Sequence, residues 1–134
     1  MTEELRIPNP LPEGYAVESV RILAVKERYE QQGEAFLAQT FTAEERAEAG
    51  EDPDWEYLAG RLAVKQAFLK LLFPNSMAEN KNFGWIMTLR CPDGAPRVTV
   101  LEPLRSHMER SGISRLLVSV TNEDGYALAL CYAG

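Results

Sequence analysis

Between Asp54 and Pro74 the chain carries WEYLAGRLAVKQAFLKLLF, a run with no proline and one glycine, and everything else has to be arranged around it. At about 100° per residue, Trp55, Leu58, Leu62, Leu69 and Phe73 fall on one face of a helix. Asp54 is suited to cap its start and Pro74 to stop it. A helix this long with an apolar face must be covered by other elements. Two residues disturb the face: Lys65 lies between Leu62 and Leu69, and Gln66 follows it. A buried ammonium costs several kcal/mol unless it is paired or reaches water. Either the face rotates slightly and Lys65 snorkels to solvent along its own stem, or the two polar side chains serve a site.

The remaining elements supply the cover. MTEELRIPNPLPEG holds three prolines and no periodicity, which predicts an extended or disordered arm over residues 1–14, with a single domain over 15–134. YAVESVRILAV is rich in β-branched residues and predicts a strand, followed by a charged helix over KERYEQQGEAFLAQTF that Gly33 breaks or ends. Thr42 to Glu45, TAEE, has the form of a capping box, in which the Thr hydroxyl and the Glu carboxylate each satisfy an amide at a helix start. GWIMTLRC, PDGA and PRVTVL predict a hairpin, LRSHMERS a helix between Pro103 and Gly112, and RLLVSV, TNEDG and YALALCY a second hairpin, apolar on both faces and therefore expected to be central. The fold class is α+β: an antiparallel sheet packed on the long helix.

Composition excludes several functions. A net charge of −6, with only 14 Lys and Arg and these scattered, leaves no surface able to neutralise a phosphate backbone, so nucleic acid is not an expected partner. No apolar run reaches the roughly 18 to 20 residues that span a bilayer, so no membrane partner is expected either. Cys91 and Cys131 stand far apart in strand-like runs, and with no signal peptide they are expected to be reduced, packed thiols in a cytoplasmic protein. His107 is the sole histidine; it lacks a Ser-His-Asp set or a metal cluster and is expected to be a surface residue.

Four stretches taken in order, FLAQTFTAEE, EYLAGRLAVKQAFLKLL, DGAPRV and VSVTNEDGYALAL, resemble the holo-acyl-carrier-protein synthases, the small group of the 4′-phosphopantetheinyl transferases. The match runs from about Ala16 to the C-terminus, and its strongest piece, AGRLAVKQAFLK, sets Gly60, Arg61, Lys65 and Lys70 in register with the family helix. The resemblance implies transfer of phosphopantetheine from coenzyme A to a serine of an acyl or peptidyl carrier protein, as in fatty acid biosynthesis. It further implies Mg²⁺ held by two carboxylates against the pyrophosphate, and lysines that stabilise the leaving phosphate or carry a proton. On this chain the lysines are Lys65 and Lys70, the residues toward coenzyme A are Arg61, Ser119 and Asn122, and the metal positions fall on Glu18 and Gln66, with Ser19 the alternative to Glu18 if one residue is gapped. It also implies a homotrimer in which the first-strand acid faces the long helix of a neighbour.

The same register exposes departures. Gln66 stands where the family has a metal-binding glutamate, and a carboxamide brings no negative charge to a hard cation. FPNS replaces a glycine turn, Leu117 the first family histidine and Asn122 the second, and the helix that would face an acidic carrier offers Lys26 and Arg28 among several glutamates. The sequence therefore leaves open a transferase with a divergent site and a catalytically impaired homologue that binds or assembles.

Overall fold

A computed structural model describes residues 13–73 and 82–134. The proposed arm, apart from Glu13 and Gly14, lies outside the described residues, as do Pro74, FPNS beyond Phe73, and the loop up to Lys81. The elements are β1 (Tyr15–Arg21), α1 (Ile22–Gln32), α2 (Glu34–Thr40), α3 (Ala43–Ala49), α4 (Trp55–Leu72), a 3₁₀ turn at Phe83–Trp85, β2 (Ile86–Arg90), β3 (Pro96–Val100), α5 (Leu104–Arg110), β4 (Leu116–Glu123) and β5 (Tyr126–Ala133). Two antiparallel sheets form, one of order β1-β5-β4 and one pairing β2 with β3. The second hairpin is thus only half central: β5 has a neighbour on each side, while β4 is an edge of its sheet.

α4 is buried on every side rather than along one stripe. Residues 57–65, together with Ala67, Phe68, Leu69 and Leu72, are all inaccessible, because the three-stranded sheet covers one side and α1, α3 and β2 the rest. Small residues permit the close approach. β5 turns Ala127, Ala129, Cys131 and Ala133 inward, and a Cβ on Gly60 would come within 3.0 Å of Val120 on β4. Burial holds the Cys131 thiol up to about 12, as expected of a packing residue, and Cys91 and Cys131 are both free.

Two local expectations change, and the break at Gly33 holds. β1 ends at Arg21, and the apolar run after it is already helical: the Ile22 amide closes on Gly125 O at 2.9 Å, and Val25 turns into the core as the buried residue of α1. Gly33, at φ 71°, separates α1 from α2, a conformation that side chains rarely adopt. His107 is half-buried rather than a plain surface residue. Its Nε2 lies 2.9 Å from Leu72 O, satisfying a carbonyl that the end of α4 leaves open, and its ring stacks on Phe73 with centroids 4.5 Å apart. Among the described residues no helix is long and apolar enough to cross a membrane.

Candidate active site

The capping box at Thr42 does more than start a helix. Thr42 Oγ1 accepts from the Glu45 amide at 3.1 Å, and Glu45 Oε1 accepts from the Thr42 amide at 3.0 Å. The same carboxylate accepts from the Thr88 amide of β2 at 2.9 Å and lies 2.7 Å from Lys65 Nζ. Lys65 spends its other two protons on Phe83 O, at 2.9 Å, and Ile86 O. Both side chains are 0% exposed. The snorkelling expectation is therefore overturned: no route to solvent is needed, since three oxygens take the three N–H bonds. Burial pulls the Lys65 pKa below its ordinary value, and the Glu45 carboxylate opposes that pull. This pair joins α3, α4 and β2 in the interior. Sequence reading had Glu45 as a cap and Lys65 as a polar break in an apolar face with a candidate catalytic role; nothing in the sequence joined the two.

A second Lys–Glu pair lies at the surface, five residues further along α4. Alternation along β1 puts Glu18 on the inward face with buried Ala16 and Val20, and Ser19 on the opposite, exposed face. Glu18 Oε2 is 3.2 Å from Lys70 Nζ, with the lysine side chain 66% exposed. Gln66, half-buried, precedes Lys70 by one helical turn. The strand acid and the long helix thus meet within a single chain, where the resemblance implied a neighbour's helix.

Arg61, one turn before Lys65 and largely buried, belongs to a third place. A cleft of about 180 Å³ is lined by Asp54, Glu56, Tyr57, Arg61, Arg90 and Asn122, among others. The Arg61 and Arg90 guanidinium carbons stand 4.2 and 4.7 Å from the centre of the Tyr57 ring. Glu48 organises the wall: it accepts from the Tyr57 hydroxyl at 2.5 Å and from the Arg90 amide at 3.1 Å, and lies 4.0 Å from Arg61. Burial, and then the hydrogen bond to Glu48, push the Tyr57 hydroxyl up to about 12. Arg61 Nε is buried without a hydrogen-bond partner among the described residues. Asn122 Nδ2 is 3.4 Å from Glu56. Arg90 and Tyr57 were not singled out in sequence, and nothing in their local spacing marks them.

The three residues expected toward coenzyme A are accordingly divided. Arg61 and Asn122 share the cleft, whereas Ser119 lies on the opposite face of β4 and is exposed. That face, which also carries Tyr15, Leu117 and Tyr126, is open. A larger pocket of about 450 Å³, between α1, α2, α3 and the loop into α4, contains none of the residues marked in sequence.

The α+β domain that carries these groups has known counterparts. The chain belongs to the 4′-phosphopantetheinyl transferase superfamily, whose family profile matches residues 16–131. Within it, the relatives are holo-acyl-carrier-protein synthases. That of Chlamydia trachomatis serovar D is 30% identical over 122 residues, covering 90% of this chain and 98% of the relative, and that of Thermodesulfovibrio yellowstonii is 30% identical over 119 residues, covering 87% and 94%. The crystal structure of the Neisseria meningitidis synthase superposes with a TM-score of 0.80 at 27% identity, over 91% of this chain and 98% of that one. The synthase–coenzyme A complex from Chronobacterium ammoniagenes gives 0.78 at 26% identity, over 90% and 95%.

Proposed function

We propose that the chain binds coenzyme A and transfers its 4′-phosphopantetheine to a serine of an acyl or peptidyl carrier protein. The observation that carries this reading is the ordering of cationic groups along α4, with Arg61 in the cleft and Lys70 at the outer edge. The cleft is of a size for a phosphate group, with Arg61, Arg90 and the Asn122 amide in its lining. In the reaction the serine oxygen forms a bond to the β-phosphorus of coenzyme A as the bond to the α-phosphate oxygen breaks. The serine proton leaves to a base or to water. Lys70, exposed at the edge of the site, stabilises the charge that gathers on the departing phosphate. Lys65 has no proton to spare and acts by holding α4 in place.

The open face of the three-stranded sheet supports a homotrimer. Leu117 and Tyr126 are 46% exposed, and Val17, Leu128, Leu130 and Tyr132 lie beside them half-buried, an apolar surface that a second copy would cover. Covering it would also bring Ser119 to an interface. A trimer that persists in light scattering without ligand checks this.

A second reading, a homologue that binds without transferring, is favoured by α1. Arg21, at the end of β1, faces Glu27 at 2.7 Å, and Lys26 and Arg28 on α1 stand beside Glu30 and Glu34, so no net positive charge is gathered there for an acidic carrier. Incubation with coenzyme A and a panel of apo-carrier proteins, followed by weighing the carriers, separates the two. A mass gain of one phosphopantetheinyl group supports transfer. Binding of coenzyme A without any gain across the panel leaves the second reading.

A further inference from the structure

The Mg²⁺ that accompanies this family does not fit the residues present. Hard divalent cations are held chiefly by anionic oxygens. Among the described residues the α4–β1 edge holds one carboxylate, Glu18, and its oxygen already faces the Lys70 ammonium at 3.2 Å. The residue one turn away, Gln66, contributes a neutral amide. The three side chains sum to no net charge, and a dication placed there would be repelled by the ammonium at close range. Among the described residues, no three of His, Cys, Asp and Glu come together as a metal-binding group. Nor can Lys65 move to change the balance, since Glu45, Phe83 O and Ile86 O take all of its protons.

We infer that this chain binds the diphosphate of coenzyme A without a divalent cation, with the Lys70 ammonium, held by Glu18, supplying the positive charge at that edge. The inference rests on the coenzyme A reading above. A lysine suits the part: it is a compact charge with three rotatable donors on a flexible stem, and Glu18 holds it near the strand without burying it. Gln66 is then not a damaged ligand. Its uncharged amide leaves the ammonium and its single carboxylate balanced, where a second carboxylate would call for a metal.

The test uses the full chain. Mn²⁺ titrated into the protein and followed by electron paramagnetic resonance should keep its free-ion signal, whereas a stoichiometric loss of that signal would overturn the inference. Calorimetry with coenzyme A should give the same affinity in EDTA as in Mg²⁺, and binding seen only with Mg²⁺ would overturn it. Lys70→Ala should weaken binding in EDTA by about tenfold or more, the usual worth of a charged hydrogen bond. Gln66→Glu should acquire Mn²⁺ binding; if it does not, the charge at position 66 is not what excludes the metal, and the argument fails. Absence of coenzyme A binding in both buffers would instead overturn the coenzyme reading, and this inference with it.

Discussion

Lys65 and Lys70 stand five residues apart on one helix, and each faces a glutamate, yet their settings are opposite. Lys65–Glu45 is sealed in the interior at 2.7 Å with every donor satisfied; Lys70–Glu18 is open to water at 3.2 Å with donors to spare. The lesson is about where charge is useful. An ion pair with no free proton can only hold elements together, and one with free protons can act on a ligand.

The largest expected effect breaks the inner pair. Lys65→Met leaves Glu45 charged and buried, and should cost about 3–5 kcal/mol in chemical denaturation. The double variant Lys65→Met with Glu45→Gln should recover part of that loss. Recovery would show that the stranded charge, and not lost packing, was the cost.

A middle case comes from the cleft. Because native Tyr57 holds its proton up to about pH 12 while the unfolded chain releases it near 10.0, the native state binds more protons between those values. Stability from this group is thus fully present below pH 10 and is lost as pH rises toward 12, by about 2–3 kcal/mol in all. Denaturation at a series of alkaline pH values should show the decline, and Tyr57→Phe should make it shallower.

Breaking the outer pair should barely disturb the fold. Lys70→Ala is expected to change stability by less than about 1 kcal/mol, the usual range for an exposed pair. The mildest probe of the interior is thiol labelling under native conditions: half-buried Cys91 should react and Cys131, held near 12, should not. Equal labelling of both would mean that the β5 face of the core opens readily.

Much of the frame was legible because its signals are local. The capping box at Thr42, the Asp54 cap, the break at Gly33 and both hairpins follow from short-range chemistry. The all-round burial of α4 was less legible, since periodicity marks the most apolar face and says nothing about alanines such as Ala59, Ala63 and Ala67 that let neighbours close in elsewhere. The partners of Lys65 were out of reach: Glu45, Phe83 and Ile86 lie 20, 18 and 21 residues away, and only the fold brings them together. For the site, family register pointed to Arg61, Lys65, Lys70, Glu18 and Gln66, and it could not show that Lys65 is sealed in the interior. It could not divide Ser119 from Asn122, which alternation along β4 sends to opposite faces. Ile22 was misread for a related reason, as β-branched residues after a strand look like more strand until Val25 finds the core from a helix.

The central claim is that the outer lysine belongs to the site and the inner one to the frame. Lys70→Ala, measured for both thermal stability and coenzyme A affinity on the same preparation, tests it most directly. The account predicts a melting temperature close to that of the parent protein together with an affinity lower by about tenfold or more. An unchanged affinity, or a large fall in melting temperature, would contradict it.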